Sequence, residues 1–91
     1  MVWYSPREDL PPMPKEKWLS GEPFLGVFKG VPANTFFFYV VSAEYHDSSV
    51  RYVEAGGEQY CWFDESELVA WTSINELTED LLRTKPELSF Y

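Results

Sequence analysis

The sequence predicts an α+β domain: a twisted antiparallel sheet of four to five strands, one C-terminal helix and a Pro-rich extended N-terminal arm. Three observations carry that expectation. Between residues 24 and 72, runs of β-branched and aromatic residues alternate with clusters of turn residues, the pattern of short strands. Ser73 and Glu76 match the Ser-x-x-Glu capping box and open a stretch of helical periodicity that stops at Pro86. Five of the seven prolines lie in residues 1–23, where fixed φ and missing donors rule out helix and interior strand. A single domain over 1–91 is expected, with 1–23 as the arm, 24–72 as the sheet and 73–85 as the helix.

The elements follow in order. The arm, with "LPPMP" at its centre, is punctuated by Trp3, Tyr4, Leu10, Met13 and Trp18. So many large apolar groups suit an arm lying against the body; reaching a partner is the alternative. "FLGVFKG", 24 to 30, reads as the first strand and "VPAN" as a turn. "TFFFYVVSAEY", 35 to 45, is the strongest strand signal, free of Gly and Pro. Its first half is apolar on both faces, so it is expected to be central and covered on both sides. "HDSS" is the next turn and "VRYVEA" the next strand. Gly56-Gly57 suits a two-residue primed turn, which needs the positive φ that glycine supplies. "EQYCWF", then "LVAWT" after "DESE", complete the strands. In the helix, Ile74, Leu77 and Leu81 share one face, expected to pack on the sheet. Its acids come early and Arg83 and Lys85 late, as the macrodipole prefers.

Composition bounds the function classes. Aromatic residues make up 19% of the chain, more rings than a core this small needs, so some belong at a surface or interface. The formal charge is −8. Residues 58–91 hold two bases, Arg83 and Lys85, against eight acids, which places −6 of it there. Such a surface repels nucleic acid and anionic membranes and attracts basic proteins. One cysteine, Cys61, allows no internal disulfide, which fits a reducing cytoplasm. No apolar run reaches the roughly 18 residues of a membrane span. "MVWYSPRED" lacks a basic segment followed by an apolar one, so no signal peptide is expected.

The stretch "RYVEAGGEQYCWF" carries the candidate site. A two-residue turn sets Tyr52 against Cys61, Arg51 against Trp62 and Val50 against Phe63. One face then holds Val50, Tyr52, Cys61 and Phe63, uncharged and assigned to the core. The other holds Arg51, Val53, Tyr60 and Trp62, with a guanidinium opposite an indole, a cation–π arrangement. Arg, Tyr and Trp are also the residue types enriched at binding hot spots. Either the arm covers this second face, or it is a free patch bordered by Glu58, Asp64, Glu65 and Glu67. Glu76, Glu79 and Asp80 sit at i, i+3, i+4 spacing and share a helix face. With Glu65 and Glu67 pointing the same way in an extended "DESE", they form an array able to imitate phosphates. An ordinary amphipathic helix carries the same pattern.

Chemistry is thinly supported. His46 and Cys61 sit on a turn and mid-strand with no orienting partner. His46-Asp47 with "DESE" shows no metal-ligand spacing. Glu65 and Glu67 form an acid–base pair only in the sense that any two acids do. No Gly-rich loop opens a helix, and seven scattered bases make no nucleic-acid groove. No catalytic, cofactor-binding or metal residue is assigned.

The stretch "AEYHDSSVRYVEAGGEQYCWFDESELVAWTSINEL" resembles the C-terminal half of small phage and prophage proteins usually left as domains of unknown function. Those have a "YHDG"-like turn, a "W-F" strand and then a strand containing Trp; here the turn is His46-Asp47-Ser48-Ser49 and the later Trp is Trp71. The resemblance covers about a third of the chain. A serine stands where that turn has glycine, and a terminal helix where those chains end in prolines. The resemblance implies an inhibitor of host defence of the anti-CRISPR kind, acting by stoichiometric binding, and no catalytic residue carries over.

The expectation is therefore a phage-encoded, non-enzymatic binding protein acting in the host cytoplasm. Through Arg51, Tyr60 and Trp62, flanked by the acids named above, it docks on the basic surface of a host nucleic-acid-binding effector. The alternative is a homodimerising structural or housekeeping module using the same aromatic face; a small hydrolase or metal protein is a third.

Overall fold

The computed structural model describes residues 2–55 and 62–88. It contains β1 (Phe24–Lys29), β2 (Phe36–His46), β3 (Ser49–Glu54), β4 (Trp62–Asp64), β5 (Leu68–Ser73) and α1 (Ile74–Thr84). One-turn 3-10 helices span Glu65–Glu67 and Pro86–Leu88. The strands form one antiparallel sheet in the order β4-β3-β2-β1-β5. The α+β class and the single C-terminal helix are as the sequence predicts.

β2 is the pivot. Phe36–Val41 pair with β1 and Val41–His46 pair with β3, so Val41 alone belongs to both ladders. The sheet curls about this point. The rings of Phe28 on β1 and Phe63 on β4 stack with centroids 4.1 Å apart, although β2 and β3 lie between their strands. In a flat sheet three strand spacings would hold them about 14 Å apart. Inside the curl lie Phe24, Phe28, Val41, Ala43, Tyr52, Leu68 and Trp71. Gly26 sits in register between Tyr39 and Trp71, and a Cβ there would stand 2.7 Å from the Phe28 ring. The missing side chain is what lets that ring fold over the core. The β2–β3 turn closes tightly at His46↔Ser49, with Asp47 at φ 57°, a left-handed position Asp tolerates.

The arm lies against the body. Tyr4 exchanges two backbone hydrogen bonds with Trp71, at 2.8 and 3.0 Å, on the outer edge of β5. Their rings stack at 4.8 Å. Pro6 falls where the next rung would form, opposite Val69, and has no N–H to donate, so the pairing stops. Trp71 Nε1 donates to the Asp9 carbonyl at 2.8 Å. Pro11 is fully buried, Met13 packs on the core, and the Gly21 N–H donates to the Ala43 carbonyl at 2.9 Å. The arm thus runs from the edge of β5 across the open side of the curl to the second half of β2.

Two expectations need correcting. The helix begins at the predicted cap, with Ser73 Oγ accepting from the Glu76 N–H at 3.0 Å. It does not pack down on the sheet: it buries no residue, and Leu81 is 50% exposed. The arm already closes the core, which leaves the helix only the margin of β5. The first half of β2 is likewise uncovered. Phe36, Phe37, Phe38 and Val40 are all exposed, because the β3 ladder reaches only as far as the Val41↔Glu54 pair and the arm crosses the other half of the strand.

Candidate docking face

Alternation assigns every strand residue to the curled core or to the outer face of the sheet. The observed pairs are Tyr52↔Phe63, Val53↔Trp62 and Arg51↔Asp64. The two-residue turn predicted Tyr52 against Cys61 and Arg51 against Trp62. The register is displaced by two positions, and it sets Phe63 opposite Tyr52, over the core beside Phe28 and Tyr39. A displacement of two preserves parity, so the predicted faces survive: Tyr52 and Phe63 lie inward, Arg51, Val53 and Trp62 outward. Gly56-Gly57, Glu58, Tyr60 and Cys61 lie outside the described residues.

The outer face reads as rows across the strands. Glu44, Arg51 and Asp64 form one row, and Ser42, Val53 and Trp62 the next. The Arg51 guanidinium carbon stands 5.8 Å from the centroid of the Trp62 ring, the cation–π arrangement the sequence predicts. Arg51 Nε lies 3.7 Å from Glu44 Oε2, while Glu44 Oε1 accepts from Ser20 Oγ at 3.0 Å. Arg51 Nε is itself buried without a hydrogen-bond partner. Arg51 is therefore a half-buried organiser that flattens against Trp62, not a free cation.

Toward the start of β2 the same face carries Val40, Phe38 and Phe36. Ala70, Val27 and Phe38 form one row there, with Val27 buried. Tyr4 faces inward onto Trp71, so Trp3 falls on the outer side, edge-on to Phe38 with centroids 6.4 Å apart. Trp3 is 43% exposed, Phe36 52%, Phe38 61% and Trp62 52%. Those four rings leave roughly 300–500 Å² in water, at about 150–250 Å² for a whole ring. On this outer face the exposure is divided between Trp3, Phe38 and Phe36 at one end and Trp62 beside Arg51, two strands away in the Ser42 row. The arm does not seal it. Sequence reasoning found Arg51 and Trp62 but missed Phe36, Phe38 and Trp3; the signal was the run Phe36-Phe37-Phe38, which it assigned to the core.

The predicted acids are mostly committed within the chain. Glu76 accepts from the Tyr4 hydroxyl at 2.6 Å and from Thr72 Oγ1 at 3.3 Å, and this carboxylate raises the Tyr4 hydroxyl above its ordinary range. Asp80 accepts from Arg83 at 3.2 Å. Glu76, Glu79 and Asp80 do share one side, lining a shallow depression with Val2 and Arg83. "DESE" is not extended: Asp64 caps the 3-10 turn, accepting from the Ser66 N–H and Oγ, while Glu67 reaches back to the Asp64 N–H at 3.0 Å. The Ser66 bonds hold the Asp64 carboxyl below its usual range. An Asp-x-x-Glu capping box was the sequence signal for this turn. Glu65 and Glu79 remain exposed on separate elements, so the carboxylates form no single array.

Among the described residues no group of three metal-ligating side chains occurs, and no helix is long and apolar enough to cross a membrane. His46 stands exposed beside Asp47, at 3.9 Å. No protein-family model, curated protein or solved structure matches the chain.

Proposed function

We propose that this chain is a non-enzymatic binding protein that docks its aromatic outer face, with the acids around it, onto a basic protein surface. The observation that carries the reading is the exposed rings on one outer face, Trp3, Phe38 and Phe36 at one end and Trp62 on the Arg51 platform at the other. Rings held on a sheet lose little entropy on binding and bring large area, which is why Trp and Tyr dominate hot spots. The charge of −8 selects the partner: it speeds encounter with a basic surface and opposes the pairing of two copies. Following the resemblance to small phage proteins, the proposed target is a nucleic-acid-processing defence complex in the host cytoplasm, inhibited stoichiometrically.

The test is affinity capture from the host with the wild-type chain and with the Phe38→Ser, Trp62→Ser double variant, alongside light scattering of the purified protein. A nucleic-acid-binding protein held by the wild type, released by salt and lost with the variant supports the reading. Equal capture by both chains refutes it. A dimer that the variant dissociates replaces it with the homodimer alternative.

A further inference from the structure

We propose that the groove between the arm and the Glu65–Glu67 turn binds a small organic monocarboxylate with an apolar body. The groove encloses about 690 Å³ and is lined by Arg7 from the arm, Lys29 at the end of β1, Tyr52, Glu65, Leu68 and Val69. Its size is that of a small-ligand site, about 300–1,000 Å³.

Tyr52 is the observation that points to a ligand. It is only 4% exposed, and its ring is fixed among the core aromatics, 5.6 Å from Phe24 and 6.0 Å from Phe28. Its hydroxyl makes no hydrogen bond among the described residues, yet the residue lines the groove. The hydroxyl is not sealed from solvent, so it opens onto the groove, where an incoming acceptor would take the place of water. Burial, then the charges of Glu65 and Asp64, push it up to about 12, so at neutral pH it donates and the ligand must accept.

Charge completes the assignment. This acidic chain has seven bases and places two of them, Arg7 and Lys29, on this one groove. Neither is in an ion pair among the described residues. Arg presents a planar fork matched to a carboxylate. Glu65 on the same wall offsets one of the two cations, so the lining keeps a net charge of +1, which one carboxylate neutralises and a dianion would overshoot. Buried Leu68 and half-exposed Val69 supply an apolar floor for the rest of the molecule.

The test uses the full chain labelled with nitrogen-15, titrated with 4-phenylbutyrate, its neutral counterpart 4-phenylbutanol, and phenyl phosphate. Saturating amide shifts at Ser66, Leu68 and Val69 are expected with phenylbutyrate. Tyr52→Phe should weaken binding about fivefold, the loss of one hydrogen bond, with the remaining spectrum unchanged. The Arg7→Gln, Lys29→Gln double variant should weaken it about tenfold or more. No saturation at these amides, or equal binding of the alcohol, overturns the site. Tighter binding of phenyl phosphate overturns the monoanion assignment.

Discussion

Phe28 and Phe38 are both phenylalanines in apolar strand runs, and truncating each to alanine should separate them sharply. Phe28 is fully buried, stacked on Phe63 and packed against Tyr52. Its ring removes about 150–250 Å² from water, worth about 4–6 kcal/mol by area and close to the 3–5 kcal/mol typical of a buried Phe-to-Ala change. Phe38 is 61% exposed. Its buried remainder, about 60–100 Å², is worth about 1.5–2.5 kcal/mol, and the methyl that alanine keeps brings the expected loss nearer 1–2 kcal/mol. For a domain of this size each kcal/mol moves Tm by about 4–8 °C. Phe38→Ala should therefore fold with a lowered but measurable Tm. Phe28→Ala should take a large part of a total stability of about 5–15 kcal/mol. Urea titration followed by circular dichroism measures both, and Phe28→Leu serves if the alanine variant does not fold. Equal losses at the two positions would show that the outer face is covered, and the docking surface would disappear with that result.

Two further outcomes follow from particular contacts. A Cβ on Gly21 would stand 2.7 Å from the Pro12 carbonyl oxygen and 3.2 Å from backbone atoms of Met13 and Pro14. Gly21→Ala should thus shift the arm and lower stability by about 1–3 kcal/mol, with arm amides becoming more accessible to hydrogen exchange. Tyr52 titrates at about 12 in the fold against 10.0 when free. Its raised value means the stabilisation is complete below pH 10 and is lost as pH climbs through 12. Two units correspond to about 2.7 kcal/mol at most, and solvent in the groove reduces this to about 1 kcal/mol. Denaturation midpoints measured from pH 9 to 12 should fall less steeply for Tyr52→Phe than for the wild type, and parallel curves would contradict the assignment.

Local chemistry made much of this protein readable in advance. Strand runs bounded by turn residues, the Ser73 cap and the proline-fixed arm all act over a few residues; β1, β2, β3 and β5, the cap and the arm appear where the sequence places them, while the fourth strand, expected over 58–63, is described at Trp62–Asp64. Face assignment was equally robust: the β3–β4 register moved by two positions, and the period of two kept Arg51 and Trp62 outward regardless. What the chain could not reveal locally was coverage. Phe24, Phe28, Phe36 and Phe38 are equivalent in hydrophobicity, and only the assembled sheet buries the first pair and leaves the second in water. That division depends on where the β3 ladder ends, how far the sheet curls and which half of β2 the arm crosses, contacts between residues tens of positions apart. The same long-range closure left the helix little to cover, joined Tyr4 to Glu76, and brought Arg7, Lys29 and Tyr52 to one groove. Alternation is a property of neighbours along the chain; shielding from water is a property of neighbours in space.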